Sequence, residues 1–200
     1  MEATFLARHP GLRDGISFVV FVVLVLVGTL MINSFVFRSF NVVGPSMEPT
    51  MYTGDRLIVN RLPVTAARLQ NKSYLPQRNQ IIVFINPRYV AGSEDEYVVK
   101  RVIAFAGERV VVKNGQMRVF NASHPNGFNT DDSVKHGSPG SPVSGDTDTV
   151  VPEGSLFVVG DHREDQYSCD SRGCMGTIPL YDVVGPVGLK IWPLNKVSTY

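Results

Sequence analysis

The stretch from Gly15 to Phe37 reads GISFVVFVVLVLVGTLMINSFVF and contains no charged residue over its 23 positions. An α-helix of that length runs about 35 Å, enough to cross a hydrocarbon core of about 30 Å. We therefore predict a transmembrane helix over residues 16–37. A cleaved secretory signal is the alternative, but the run is too long for one, and Arg38 and Phe40 stand where small residues would precede the cut.

The charges that flank this segment predict its orientation. Arg8 and Arg13 precede the helix together with the N-terminal amine, whereas Arg38 alone follows it closely. Basic residues favour the cytoplasmic side of a membrane. We therefore expect residues 1–15 to form a short cytoplasmic stub and residues 38–200 to lie outside the cytoplasm.

The composition of the chain limits its partners. Charged residues make up 18% of the 200 residues and hydrophobic residues 44%, which excludes wholesale disorder. Residues 39–200 carry 16 basic and 16 acidic side chains, so this part is neutral. Because a nucleic-acid-binding surface needs an excess of basic residues, we do not expect nucleic acid as a partner.

The pattern after the apolar segment predicts an antiparallel β fold. Short β-branched and aromatic runs alternate with turn residues, and Asn114-Gly115 predicts a hairpin. Only residues 64–70 show a weak helical period. Residues 121–150 are polar and rich in Gly, Pro and Ser, which predicts a long and partly mobile surface insertion between strands. The fold class is therefore mainly β behind a single transmembrane helix. The predicted strands are 56–60, 80–85, 97–106, 109–120 (the hairpin), 155–161 and 183–194.

Ser46 is the first residue that could carry chemistry. It lies in the turn GPSMEPTMYTGD (44–55), between Pro45 and Pro49. It follows Arg38 by eight residues, which places it within about 26 Å of the membrane surface even in a fully extended chain. A serine in a turn is usually an ordinary turn residue, so the position alone does not make it a nucleophile.

Lys100 interrupts the apolar run YVVKRVIAF (97–105). By strand alternation Lys100 and Arg101 point to opposite faces, so one of them must occupy the less exposed face. An edge strand with both cations in solvent is the simpler interpretation. The functional alternative is a desolvated lysine, since burial disfavours an ammonium and makes the amine a usable general base.

A dense polar loop forms the third candidate segment, GDHREDQYSCDSRGCMG (160–176). It is either an ordinary solvated loop or a hydrogen-bonded network. His162 within it leaves a Ser-His-Asp arrangement open as an alternative. His9, His124 and His136 lie in the stub or the insertion, and we expect them at the surface. The spacing of the cysteines and histidines does not indicate a zinc site.

The three segments together resemble the type I signal peptidases, the membrane-anchored Ser–Lys endopeptidases that remove signal peptides. GPSMEPTMYTGD is similar to the nucleophile box of that family, VVKRVIAFAGE to its lysine box, and GDHR…SCDSRGCMG to its C-terminal box. The order of the boxes and the apolar segment before them agree as well. The resemblance extends from about residue 16 to residue 194, with 121–150 unmatched in detail. It implies a core of antiparallel sheets with a smaller, variable subdomain that residues 121–150 would occupy.

The resemblance implies roles for individual residues. Ser46 would be the nucleophile, Lys100 its general base and Ser168 the serine that orients the lysine. Asp170 and Arg172 would form a supporting ion pair. The family requires no metal or organic cofactor, and its partners would be the lipid bilayer of the plasma membrane and secretory preproteins with small residues before the cut. The implied lining of the substrate pockets is Val42, Met47, Met51, Val98 and Val99.

This sequence departs from the family pattern at two places. Four residues separate Arg163 from Ser168, where the family usually has two, so the loop must bulge. Gly44 occupies a position at which some members have a serine whose hydroxyl helps to form the oxyanion hole. The Ser46 N–H would then need a different second donor, such as water or another main-chain group.

Other functions share parts of this pattern. A mitochondrial inner-membrane peptidase would use the same chemistry, but a transit peptide would be rich in Arg and Ser and poor in acidic residues. The short stub holds Glu2 and Asp14, which favours a bacterial plasma membrane. A self-cleaving Ser–Lys repressor would need a DNA-binding domain, for which 15 residues leave no room. A membrane-anchored β adaptor that only binds peptides is the non-catalytic alternative.

Cys169 and Cys174 are the only cysteines. If residues 38–200 lie on the oxidising side of the membrane, we expect these two cysteines to form a disulfide. Two free thiols in a packed loop are the alternative, because a bridge requires Cα atoms within about 7 Å of each other.

Overall fold

A computed structural model of the chain describes residues 9–92, 96–164 and 168–200. Helix α1 (Pro10–Met31) opens on a proline in its first turn, where the missing N–H costs no helical hydrogen bond. One π-helical turn, Ile32–Val36, continues it. The segment Gly11–Phe35 is long and apolar enough to cross a membrane, and none of its most apolar window is buried in the protein. The predicted helix is therefore present, although it begins at Pro10 rather than at residue 16.

Strands are the main regular elements of the remaining described chain. The short helix α2 (Leu62–Leu69) lies where the sequence showed a weak helical period. Every predicted strand is confirmed within one or two residues at its ends, and the hairpin turns at Asn114 and Gly115. The strands are β1 (Phe37–Asn41), β2 (Arg56–Asn60), β3 (Ile81–Ile85), β4 (Tyr97–Phe105), β5 (Arg109–Lys113), β6 (Gln116–Asn121), β7 (His124–Phe128), β8 (Thr147–Val150), β9 (Ser155–Val159), β10 (Ile178–Pro179), β11 (Val183–Trp192) and β12 (Ser198–Thr199).

The larger sheet contains β4, the strand that carries Lys100. Its strands follow the order β1-β2-β11-β3-β4-β9-β10, and β12 pairs with β11. All of these pairings are antiparallel. Strand β4 therefore lies in the interior of the sheet, between β3 and β9, and carries buried side chains on both faces. The predicted antiparallel β fold is confirmed.

The smaller sheet corrects the prediction for residues 121–150. Strands β7 and β8 both fall in that segment and pair with the two sides of the β5–β6 hairpin, in the order β7-β6-β5-β8. Thr130 and Val143, between the two strands, are also buried. The segment is therefore not an irregular insertion throughout, because its backbone groups pair with both edges of the hairpin while its side chains remain polar.

The apolar helical segment, residues 10–36, continues directly into strand β1 of the larger sheet. We call this segment the anchor. Strand β1 begins at Phe37, one residue after the π-helical turn ends, and pairs with β2 so that Phe37 lies opposite Asn60. The Arg61 N–H then donates to the carbonyl of Val36 (2.8 Å). These bonds fix the edge of the sheet to the end of the apolar helical segment.

Candidate active site

Backbone hydrogen bonds and two buried methionine side chains hold the turn that carries Ser46. The N–H of Glu48 donates to the carbonyl of Pro45 (2.9 Å), and the N–H of Met51 donates to that of Met47 (2.9 Å). Both methionine side chains are completely buried in an apolar cluster with Leu57, Val59 and Val83. The tight turn therefore points Met47 and Met51 into the core and leaves Ser46 partly exposed above them.

Lys100 meets Ser46 from strand β4. Its Nζ donates a hydrogen bond to the Ser46 Oγ (2.6 Å), and the residue is only 3% exposed. The edge-strand interpretation of Lys100 and Arg101 is wrong, since β4 has a neighbour on each side and both cations are buried. A buried amine in contact with a turn hydroxyl is the geometry that a serine nucleophile and its base require.

Arg101, the next residue, forms a buried ion pair with Asp161. Its Nε donates to the Asp161 Oδ1 (2.7 Å) and its Nη2 to Oδ2 (2.5 Å), and the two side chains are 1% and 0% exposed. The Thr50 hydroxyl donates to the same Oδ2 (2.5 Å). Asp161 thus joins strand β4 to the turn that carries Ser46. Sequence reasoning missed this cluster, because 60 residues separate Arg101 from Asp161.

The polar loop lies directly on the Ser46 turn. The His162 N–H donates to the carbonyl of Ser46 (3.1 Å), and the ring Nδ1 of His162 lies 3.1 Å from the carbonyl oxygen of Pro45. Gly160 is so close to the turn that a Cβ on it would stand 2.3 Å from the Ser46 carbonyl oxygen and 2.2 Å from the Ser168 hydroxyl. His162 therefore contacts the backbone of the turn, whereas the contact to the Ser46 hydroxyl comes from Lys100.

Asp170 accepts hydrogen bonds from several groups of the polar loop. Arg172 donates to both of its carboxylate oxygens (3.0 and 2.8 Å), which is the expected ion pair. The Ser168 hydroxyl (2.6 Å) and the Gly160 N–H (3.0 Å) donate to it as well. Burial alone would raise the pKa of Asp170, but the hydrogen bonds and charge of Arg172, with the bonds from Ser168 and Gly160, hold that pKa below its ordinary value. Asp170 is therefore an anion that fixes the position of Ser168.

Cys169 and Cys174 are joined in a disulfide, as predicted, with their Cα atoms 5.4 Å apart. The bridge closes a loop around Asp170 and Arg172. Asp165, Gln166 and Tyr167, which account for most of the longer spacing before Ser168, lie outside the described residues.

A segment of the smaller-sheet region forms hydrogen bonds to the polar loop of the site at Asp161 and Arg163. The N–H groups of Gly140 and Ser144 donate to the carbonyls of Asp161 (2.8 Å) and Arg163 (2.9 Å). Arg163 is completely buried and pairs with Asp131, through bonds of 2.7 and 2.9 Å. No local motif signals these contacts, since their partners are distant in sequence and meet only when both sheets form.

A cavity of about 530 Å³ opens beside Ser46 and Lys100. Val42, Val98 and Val99, which the resemblance assigns to the substrate pockets, line this cavity. Met47 and Met51 do not, which corrects the expectation, because they are buried in the core beneath the turn. The disulfide residue Cys169 contributes to the wall. The remaining lining residues are Phe40, Asn41, Val43, Gly44, Pro45, Leu57, Val83, Asn86, Tyr97 and Met175.

The remaining histidines lie away from Ser46 in the sequence, in the predicted stub and insertion. His9, His124 and His136 are exposed, as expected. In the ranges 9–92, 96–164 and 168–200 no three His, Cys, Asp or Glu side chains come together as a metal site.

Comparison with known proteins identifies the family. Residues 15–192 match a family model described as signal peptidase, peptidase S26. The chain belongs to this family. Signal peptidase I of Bacillus amyloliquefaciens is 28% identical to it over 177 residues, which cover 88% of this chain and 87% of that protein. Signal peptidase IB of Staphylococcus aureus is 30% identical over 191 residues, which cover 89% and 87%. A crystal structure of a signal peptidase I from Enterococcus faecalis V583 is 27% identical, covers 56% of this chain and 96% of that one, and has a TM-score of 0.36.

Family membership confirms the enzyme class that the sequence predicts. The chain is a serine endopeptidase of the signal peptidase type, and its N-terminal apolar helix is that of a membrane-anchored protein.

Enlarging Gly160 tests the close packing of the loop on the Ser46 turn. In Gly160→Ala the new methyl group would collide with Ser168 and the Ser46 carbonyl, and we expect kcat/KM to fall about 100-fold, as a displacement of about 1 Å in a catalytic group does. Gly173→Ala, in the same loop, meets no atom within 4 Å and serves as the matched control. Cleavage rates of the two variants on one preprotein decide the matter, and equal rates would contradict the prediction.

Removing one charge from the buried ion pair tests its contribution to stability. Asp161→Asn leaves Arg101 buried without a counter-ion, and we expect the free energy of unfolding to fall by about 3–5 kcal/mol. The control is Asp148→Asn, whose partner Arg109 is 52% exposed, so that a much smaller loss is expected because water screens this pair. Urea unfolding of the full chain in detergent measures both values. A loss no larger in Asp161→Asn than in the control would contradict the prediction.

Proposed function

We propose that Ser46 and Lys100 are the nucleophile and the general base with which this signal peptidase cleaves secreted preproteins. The hydrogen bond of 2.6 Å between the buried lysine and the turn serine is the observation that supports these roles most directly. The cavity beside the pair provides a place for the substrate next to both groups.

The reaction begins with a proton transfer. An amine accepts a proton only when it is neutral, and burial favours the neutral form. Lys100 is 3% exposed and pairs across the sheet with the apolar Ile82. Its Nζ takes the proton of the Ser46 Oγ as that oxygen attacks the substrate carbonyl. The Lys100 ammonium then gives this proton to the amide nitrogen, so that the C–N bond breaks, the new amino terminus leaves and an acyl-enzyme remains. Water, deprotonated by the same amine, then hydrolyses the ester and releases the signal peptide.

The oxyanion needs donors at the turn. Within the described residues the N–H of Ser46 has no acceptor, so it is open to a developing negative charge. Gly44 provides no hydroxyl, and its own N–H donates to the Thr53 hydroxyl (3.0 Å). We therefore propose the Ser46 N–H as one donor and a water molecule as the second.

The substrate segment lies extended between two parts of the cavity wall, residues 40–46 and the start of β4. An extended peptide adds its backbone to an exposed strand edge in this way. The apolar side chains of Val42, Val98 and Val99 leave shallow room for small side chains before the cut. Discrimination against large side chains comes from steric clash rather than from attraction.

Ser168, Asp170 and Arg172 act in this proposal as positioning residues. Asp170 holds Ser168 and Gly160 in one hydrogen-bonded unit, and Gly160 packs against the Ser46 turn. Ser168 then orients the Lys100 amine from a fixed place.

We propose a bacterial plasma membrane as the location, with the N-terminus in the cytoplasm and residues 38–200 outside. The disulfide supports the orientation, since such bridges persist in oxidising compartments. A protease added to intact spheroplasts should digest residues 38–200 and spare the stub. Protection of the whole chain until the spheroplasts are lysed would contradict this orientation.

Substitution of the two proposed catalytic residues tests the function. Ser46→Ala and Lys100→Met should each abolish cleavage of a preprotein that carries a signal peptide, and the double variant should be no slower than either, because members of a catalytic unit are non-additive. Ser123→Ala and Lys113→Met, which alter exposed residues of the smaller-sheet region, are the matched controls.

The same series separates the alternatives. Substantial cleavage by Lys100→Met would contradict the role of the lysine and favour His162 as the base. Full biological function of Ser46→Ala would identify a peptide-binding adaptor rather than a peptidase.

A further inference from the structure

Helix α2 is held at the level where the anchor leaves the membrane. The Thr65 hydroxyl donates to the carbonyl of Phe35 (2.9 Å), the last residue of the candidate span. The Arg61 N–H donates to the carbonyl of Val36 (2.8 Å). Two hydrogen bonds thus tie the first turn of α2 to the end of the anchor, so α2 lies at the bilayer surface whenever α1 spans the bilayer.

The exposed side of α2 combines cations with leucines. The pair Arg61 and Leu62 recurs as Arg68 and Leu69, at a spacing of seven residues. Seven residues are close to two helical turns, so the arginines form one stripe and the leucines another. Thr65, which binds the anchor, lies between the stripes. Leu62 and Leu69 are 48% and 82% exposed, an arrangement typical of helices that lie in a membrane interface.

The arginines beside the anchor are not neutralised by the protein. Within the described residues Arg38, Arg61 and Arg68 make no ion pair. The Nε of Arg61 is buried and has no hydrogen-bond partner. Burial lowers the pKa of Arg61, and the charges of Arg38 and Arg68 lower it further, although Tyr97 opposes them. Arg61 therefore lies close enough to Arg38 and to Arg68 for their like charges to repel it.

We propose that Arg38, Arg61 and Arg68 form a binding site for the phosphate of an anionic phospholipid. Guanidinium groups match phosphate oxygens in charge and in hydrogen-bonding geometry. A headgroup phosphate at this height would supply the missing counter-charge and an acceptor for Arg61, while its acyl chains would cover Leu62 and Leu69. Arg38, held over the ring of Tyr97 at 4.5 Å, forms the fixed side of the site. The lipid would stabilise the catalytic domain against the bilayer.

Lipid selectivity of the full chain tests this site without relying on catalysis. The protein is reconstituted in phosphatidylcholine vesicles, and the association of spin-labelled phosphatidylglycerol is compared with that of spin-labelled phosphatidylcholine. Since each cation near a membrane surface contributes on the order of a fivefold preference for anionic lipid, Arg61→Gln/Arg68→Gln should lower the selectivity about fivefold or more. High salt should weaken the preference of the wild type.

The matched control is Lys113→Gln/Arg118→Gln, which removes the same charge from exposed residues of the smaller sheet. It should keep the selectivity of the wild type. The cations of the N-terminal stub are the same in all three proteins, so they do not affect the comparison. Thermal unfolding in detergent shows whether each variant is folded.

Three outcomes would overturn the proposal. The first is a wild type without preference for phosphatidylglycerol, and the second is an equal loss in the control variant. The third is unchanged lipid selectivity with a raised KM for a preprotein in lipid-free detergent, which would assign the arginines to the substrate instead.

Discussion

The ion pair between Arg101 and Asp161 is the contact on which the catalytic geometry depends. Two buried charges are costly to remove from water, and the cost is offset only when their remaining hydrogen-bonding groups are satisfied. Here Arg101 also donates to the carbonyl of Asn79 (2.8 Å), and Asp161 accepts from Thr50 (2.5 Å). Through these bonds the pair joins three parts of the chain to β4: the loop of Asp161, the segment of Asn79 and the Ser46 turn, which contains Thr50.

The position of this pair explains how two adjacent cations can both be buried. Side chains of consecutive residues in a strand point to opposite faces, so Lys100 does not share the carboxylate that neutralises Arg101. Arg101 is charged in any protein environment, and Asp161 is its counter-ion. Lys100 instead contacts the hydroxyl of Ser46. The fold thus gives the structural charge to the arginine and places the lysine against Ser46, where we propose that it acts as the base.

The sequence predicted those features that depend on residues close together in the chain. Apolar runs and the Asn114-Gly115 turn located the anchor, the strands and the hairpin, and three motifs indicated Ser46 and Lys100. It did not predict strands β7 and β8, because a polar segment that pairs through its backbone carries no hydrophobic period. Nor did it predict that Met47 and Met51 support the turn from the core instead of lining the cavity. That difference depends on the direction of a tight turn, which only the packing of the whole sheet determines.

The direct passage from anchor to sheet gives the site a fixed height above the bilayer. Strand β1 has five residues and starts where the membrane helix ends, so its far end lies about 17 Å along the strand. The Ser46 turn follows that end after four residues. Hydrogen bonds from α2 to Phe35 and Val36 prevent the joint from bending freely. In the reaction that we propose, a preprotein anchored by its own apolar signal segment would present to Ser46 only those bonds that lie at one height. Pocket size would then need to select among only these few bonds, so shallow apolar pockets would be sufficient for a specific cut.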